Sequence, residues 1–586
     1  MSQKSNLPVP DHCPFSRLFP ALASIALCGF WAPSASAQSD PDVEEPDFFE
    51  SVDPNGVNLS TRHITVPLAG MSIGDGQGQM IYDLRYQSAR NNAGVKDIYR
   101  GNRAKMISHS STGSNCSSYD YLITLSGSTE LFEWISDAFR PDDSKSGNSL
   151  QYDAINQKMV YHLKDGTIAY FNVAPIGGYC GPGTTDKIVF PDGRTYKFNY
   201  VFSGTIPEYF GHNRLVSVSS NLGYQIRFSY GELGPYTTST SAKLINSAVD
   251  YCDESSFSCQ YSSTWPEVTR NQGVYSSPDG TVTKFTSATG QLSVERSGLD
   301  TTYAQISSNG VVSSLARGNS VTSYNYTRVN QETADCVNRV TRTNPDQTAD
   351  IFYHRYESSR ENGLVCKHTD ALARTTVFEP LGDYRYASVS YPEGNKEELQ
   401  YDARGNVLER RLKAKAASLP DIVTTSSYPA TCANPITCNK PMSITDPKGQ
   451  VTDYSYDSTH GGILTETGPA DASGVRPQKR FEYAQRYAWT KNSAGGYSPA
   501  GTPVWVLAKE EYCKSTSASG GGCGGGVADE VVTEYDYGPN SGPNNLSVRG
   551  VIVTADGQTL RTCYGYDKYG RRISETKPSA NLGSCP

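Results

Sequence analysis

Past its first forty residues the sequence has no apolar run approaching the roughly 18 residues a membrane helix requires, so no helical span is expected there. It has no H-E-x-x-H and no C-x-x-C, which denies zinc its usual ligand spacings. No G-x-S-x-G elbow occurs, so the hydrolase nucleophile on a strained strand-to-helix turn is excluded. The glycine-rich run ending at Gly526 continues as Val527-Ala528, without the Lys-Ser/Thr of a phosphate loop. Basic clusters are missing as well. Lys and Arg number 52 against 60 Asp and Glu, a net charge of −8 that offers nucleic acid nothing. Helix-period stretches are few, while 53 Gly, 33 Pro and 39 Tyr supply turns and strands.

The start of the chain is different. Lys4 and Arg17 precede an apolar run from Leu18 to Ala32, and Ser34-Ala35-Ser36-Ala37 follows. This is the layout of a secretory signal peptide, residues 1–37, with cleavage expected after Ala37. Removing Lys4, Arg17 and Asp11 with it takes the net charge from −8 to −9. The mature chain is expected to be secreted, held at the cell surface, or kept in the periplasm. Residues 38–50 form an acidic leader.

Of fourteen cysteines, Cys13 and Cys28 leave with the signal peptide. Twelve in an exported chain make disulfides the default. They fall into neighbouring couples: Cys252 with Cys259, Cys432 with Cys438, Cys513 with Cys523, Cys563 with Cys585. Cys116 with Cys180 and Cys336 with Cys366 would complete six, although sequence alone leaves connectivity open.

The chain is organised around YPEGNKEELQYDARGNVLERR, Tyr391 to Arg411. It reads as strand, turn, strand, turn, strand, with turns at Pro392-Glu393-Gly394 and Arg404-Gly405-Asn406. The pattern returns at Gly449 with Tyr456-Asp457, and at Gly557 with Tyr566-Asp567 and Gly570. Gly193/Tyr200, Gly223/Tyr230, Gly394/Tyr401 and Gly449/Tyr456 are all seven apart, and Gly394, Gly449, Gly501 and Gly557 step by 55, 52 and 56. A recurrence of that size signals an array of supersecondary units. Within strands the alternation is clean. Tyr196, Phe198 and Tyr200 share a face, as do Tyr224, Ile226, Phe228 and Tyr230, with Gln225, Arg227 and Ser229 on the expected wet side. The fold class is therefore all-β, a repeat array of antiparallel hairpins forming a curved strip or partial shell. Expected divisions are an N-terminal hairpin region at 51–233, a connector at 234–272, and a repeat region at 273–586 with a flexible glycine-rich loop at 517–526.

YDARGNVLE and YGYDKYGRRISETKP resemble the YD repeats of Rhs-type proteins, and TDALARTTVFEP resembles the connection between two such repeats. DPNGVNLS with YDLRYQS is similar to the opening of their N-terminal region. The resemblance implies a hollow, shell-like scaffold that commonly encloses a C-terminal toxic or effector segment. Here the sequence stops eight residues after Pro578, which closes the last clear repeat. The expectation is a scaffold without visible cargo, with an unsealed end near Cys563 to Pro586. Its expected partner is a downstream-encoded repeat or effector polypeptide, or surface carbohydrate. Nucleic acid and a membrane span are not expected.

No catalytic constellation emerges. Asp402, Asp457 and Asp567 each sit at one place in their repeat beside a turn glycine, where Asp bonds its own backbone two residues on. A glycosidase would need two such carboxyl groups facing one bond. Seven histidines follow Ala37 without close metal spacing. No cofactor, metal or catalytic residue is expected. The alternatives are a carbohydrate-binding adhesin using tyrosine faces, or a carbohydrate-active enzyme with its site in 234–365.

Overall fold

The structure is a computed structural model. It describes residue 41 and residues 52–586, apart from 89–93, 100–104, 111–119, 126–127, 173–174, 177–178, 181–183, 203–212, 232–238, 289, 330–335, 356–363, 382–384, 520–521 and 581. The signal peptide, all of the acidic leader but Pro41, Cys116 and the Cys180 side chain lie outside the described residues. Everything below concerns the unit Ser34–Pro586.

Strands dominate, and no α-helix occurs among the described residues. The main sheet has 32 strands, from Ser149–Asp153 to Arg572–Thr576, all antiparallel to their neighbours. Each strand pairs with the next along the chain. The exceptions are three two-stranded hairpins set beside the sheet: Pro175–Ile176 with Tyr179–Cys180, Trp489–Lys491 with Tyr497–Pro499, and Ala518–Ser519 with Gly522–Cys523. No ladder among the described residues joins Arg572–Thr576 to Ser149–Asp153, so the strip is open. The hairpin at 391–411 is present: Lys396–Tyr401 pairs with Arg385–Ser390 on one side and Val407–Lys413 on the other.

Two smaller sheets precede the strip. Thr65–Ile73, Met80–Gln87 and Gly94–Tyr99 form a three-stranded layer. Its apolar side lies on the aromatic face of the strip, with Tyr82 edge-on to Phe228 at 6.0 Å and Tyr86 against Phe285 at 4.5 Å. Ile73, Met80 and Leu84 are buried there. The aromatic face that needs shelter from water thus receives it from a second sheet. Asp53 pins the entry to this layer. Its buried carboxylate accepts from the backbone N–H of Asn55 and Val57 at 2.9 and 3.0 Å, and from the Tyr324 hydroxyl at 2.6 Å. The other sheet, Lys105–Ser110 to Ala138–Pro141, meets the first strands of the strip through Phe132 and Tyr161 at 5.6 Å.

The expected wet face is not wet everywhere. Gln225 and Arg227 are buried, because the loop closed by Cys252 and Cys259 folds over them. Arg227 donates to the carbonyls of Asp253 and Glu254 at 2.9 and 3.1 Å. Residues 234–272 contribute strands Ser239–Asn246 and Glu267–Asn271 to the same sheet. In the later repeats the core thins to small clusters such as Val365, Phe378, Tyr386 and Val389, or Ile463, Phe481 and Leu507. Cross-strand ion pairs, such as Lys413 with Glu398 at 2.8 Å, accompany them.

Candidate functional site at the seam of the hairpin strip

Each repeat carries its own bending device. The ladder slips by one residue immediately before the repeat tyrosine, at Asn199/Tyr200, Ser229/Tyr230, Gln400/Tyr401, Ser455/Tyr456, Glu482/Tyr483 and Gly565/Tyr566. Such a bulge bends the strand and increases its twist. The tyrosine then reaches back across the sheet. Tyr230 donates to the Leu215 carbonyl at 2.8 Å, Tyr401 to that of Tyr386 at 3.2 Å, and Tyr456 to that of Pro441 at 2.8 Å. The residue before each acceptor is a cation lying over the same ring: Arg214, Arg385 and Lys440, at 5.2, 5.8 and 5.6 Å. Sequence reasoning missed this pairing, although a basic residue sixteen positions before the tyrosine was there to be found.

The repeat aspartates hold turns. Asp402 accepts from the N–H of Arg404 and Asn406 at 2.8 and 2.9 Å, Asp457 from Thr459 and His460 at 2.7 and 3.1 Å, and Asp567 from Tyr569 and Arg571 at 2.9 and 3.0 Å. Gly394, Gly405, Gly449, Gly557 and Gly570 all have positive φ. In Asp346, Asp370 and Asp471 a side-chain hydrogen bond, then backbone N–H groups, hold the carboxyl below its ordinary 3.8. In Asp402 and Asp457 burial pulls upward and the hydrogen bonds outweigh it. Burial lowers His162, His368 and His460 below 6.5. Both groups act in one direction. The unfolded chain takes up protons first, so stability present above pH 6.5 falls through the histidine range and again below pH 3.8. Urea midpoints measured from pH 8 to 3 should show two successive declines, and a flat profile would contradict these assignments.

The curl brings turns from the first half of the strip against turns from the second. Arg385 forks between the Asp143 carboxylate at 2.6 Å and the Lys145 carbonyl at 2.7 Å. Lys164 Nζ donates to the Gly405 carbonyl, and Asn439 to that of Lys164, both at 2.9 Å. The Trp505 N–H reaches the Asp192 carbonyl at 2.8 Å, and Lys491 N–H that of Ser247 at 2.8 Å. The final repeat turn docks too, Gly74 N–H donating to Tyr569 O at 2.8 Å and Asn246 to Lys568 O at 3.1 Å, while the strand after it, Arg572–Thr576, has no second ladder partner among the described residues. These contacts form a seam between residues 240 to 322 positions apart, and for Gly74 with Tyr569 nearly 500.

A cavity of about 440 Å³ lies along it, open on one side. Phe190, Tyr224, Tyr483, Trp489 and Trp505 supply aromatic surface. His460 sits between Tyr483 and Trp505, with ring centres 4.6 and 4.5 Å away. Its Nδ1 accepts from the Gly462 N–H at 3.1 Å, which places the proton of the neutral ring on Nε2. Of the predicted site residues, only Tyr566 lines the cavity. Burial, ahead of the Asp75 charge, pushes its hydroxyl up to about 12.

Five of the cysteine couples lie at disulfide distance, with Cα separations of 4.9 to 6.2 Å: 252/259, 336/366, 432/438, 513/523 and 563/585. Cys513, Cys523 and Asp529 cluster, but the sulfurs are joined and Asp529 accepts from Ser515 and Thr516.

No family model and no curated protein matches the sequence. Among solved structures, the chain is similar to the crystal structure of TcdB2-TccC3, at 12% identity and a TM-score of 0.30, covering 78% of this chain and 28% of that one. It is also similar to the Photorhabdus luminescens Tc holotoxin pore, at 10% identity and a TM-score of 0.30, covering 86% and 27%. The chain thus spans little more than a quarter of either matched chain's length.

Proposed function

We propose that the chain is an exported, non-catalytic scaffold of the YD-repeat type, shell-like in design, whose curled strip presents a protected surface to another polypeptide. The seam carries this reading. A sheet that only needed to bury its aromatics would have no use for main-chain hydrogen bonds between turns hundreds of residues apart, whereas a strip built to wall off space does. The repeat aspartates support it as well, since each is committed to its own turn and none is spare for chemistry.

The test has two arms. N-terminal sequencing of the exported protein should begin at Gln38, and an intact Met1 would remove export. Incubation with a polysaccharide panel should release no products. Hydrolysis abolished by Asp402→Asn or Asp457→Asn in folded protein would replace the scaffold with an enzyme.

A further inference from the structure

We infer that a second cavity, between the entry to the three-stranded layer and the strip, binds a carboxylate carried on an aliphatic chain. It holds about 450 Å³. One wall is Pro54 to Gly56 with the start of strand Thr65–Ile73. The other is built by strands Gln291–Arg296, Thr302–Ile306, Val312–Arg317 and Ser320–Arg328. Strand alternation fixes what this second wall presents. Register sets Leu292, Ala304, Leu315 and Thr322 side by side in one row. Two residues along each strand come Val294, Thr302 and Arg317, and two beyond Val294 comes Arg296. The inner row is thus largely aliphatic, and two strands end in arginines on the same face.

Those arginines have no counter-ion. Arg296 donates to the Pro67 carbonyl, and Arg317 Nε to the Thr302 hydroxyl at 3.2 Å. Their other N–H groups meet no protein acceptor among the described residues. No Asp or Glu lines the cavity. Glu295 belongs to the opposite face and pairs with Lys284 at 3.5 Å, while Asp300 forms no ion pair with either arginine. The two cations also feel each other: burial first, then the Arg317 charge, holds Arg296 below its ordinary 12.5. Like charges brought together this way favour an anion between them, and the guanidinium fork suits a carboxylate. The remaining lining says what that carboxylate is attached to. Ile64, Val66, Leu292, Val294 and Leu315 are aliphatic, and no aromatic ring is present. A sugar would find no platform to stack on. A bare inorganic anion would leave the apolar wall to water. An alkyl chain below a carboxylate answers both.

Hexanoate, octanoate and decanoate are titrated into the full chain by calorimetry at low salt, with decanol, acetate and inorganic phosphate as controls. The three carboxylates should saturate, each added methylene tightening binding by up to about fourfold. Added salt should weaken them. Decanol, acetate and phosphate should each bind roughly tenfold or more below decanoate. Arg317 is exposed, so Arg317→Gln should leave circular dichroism unchanged while weakening decanoate by about tenfold. Arg317→Lys, which keeps the charge without the fork, should fall between. No saturation, decanol or phosphate binding as tightly as decanoate, or an unchanged affinity in Arg317→Gln would each overturn the proposal. Should Arg317→Gln fold poorly, the head-group and chain-length comparisons on the unaltered chain still decide. The scaffold reading is tested separately, since N-terminal sequencing and the hydrolysis panel do not depend on this cavity.

Discussion

Gly570→Ala is expected to cost about 3 kcal/mol or more, several times the cost of Gly557→Ala. Both glycines have positive φ, +74° and +72°. That alone costs an alanine about 1 kcal/mol. The difference lies in what surrounds them. A Cβ on Gly557 meets nothing within 4 Å, as at Gly449. On Gly570 it would overlap the Tyr224 hydroxyl and stand 3.1 Å from Gly74 Cα. Tyr224 is buried and cannot swing aside. The last turn must therefore lift off the seam. Denaturant melts measure the cost, and faster amide exchange at Gly74, whose N–H bonds Tyr569 O, locates it. Gly193 belongs with Gly570, its added Cβ falling 2.7 Å from the Pro503 carbonyl oxygen. Equal costs at Gly557 and Gly570 would mean that the turns touch nothing.

Arg385→Ala should destabilise by about 3–5 kcal/mol, because it strands a buried carboxylate. Arg385 and Asp143 are each only 13% exposed, so removing the guanidinium leaves the Asp143 charge with little water and only the Lys145 N–H at 2.9 Å as partner. The same side chain bonds the Lys145 carbonyl and lies over Tyr401, so one truncation weakens a seam contact and a bending device together. Arg385→Lys keeps the charge but not the fork and should fall between. Adding Asp143→Ala to Arg385→Ala should recover part of the loss, since no charge is then stranded. A single-mutant cost under 1 kcal/mol would show the pair to be an ordinary surface one.

The hairpins were legible because their determinants are local. Pro392-Glu393-Gly394 and Asp446-Pro447-Lys448-Gly449 state their turns within four residues, and an apolar-polar alternation states the strand between them. The bulge before Tyr401 was not, since the extra residue on the partner strand, Leu408, obeys the same alternation as its neighbours. Burial of Arg227 was hidden for a related reason: the loop that covers it is polar, and composition marks polar stretches as solvent-facing. The seam was least legible of all. Lys145 and Arg385 meet only after the bends of all the intervening hairpins accumulate, so no window of sequence contains the contact. The cavity inherits that obscurity, its walls coming from strands and turns that are silent apart.

The acceptors along the seam have a consequence in time. Lys145, Lys164, Asp192 and Ser247 offer backbone carbonyls that belong to the first half of the chain, and their donors lie beyond residue 380. The two-layer core runs from Val57 to Phe352 and is synthesised first, so it is expected to form ahead of the later hairpins. Every later hairpin then arrives at a finished template. Assembly is therefore expected to be vectorial, with the closing contact, Tyr569 on Gly74, waiting for nearly the whole chain.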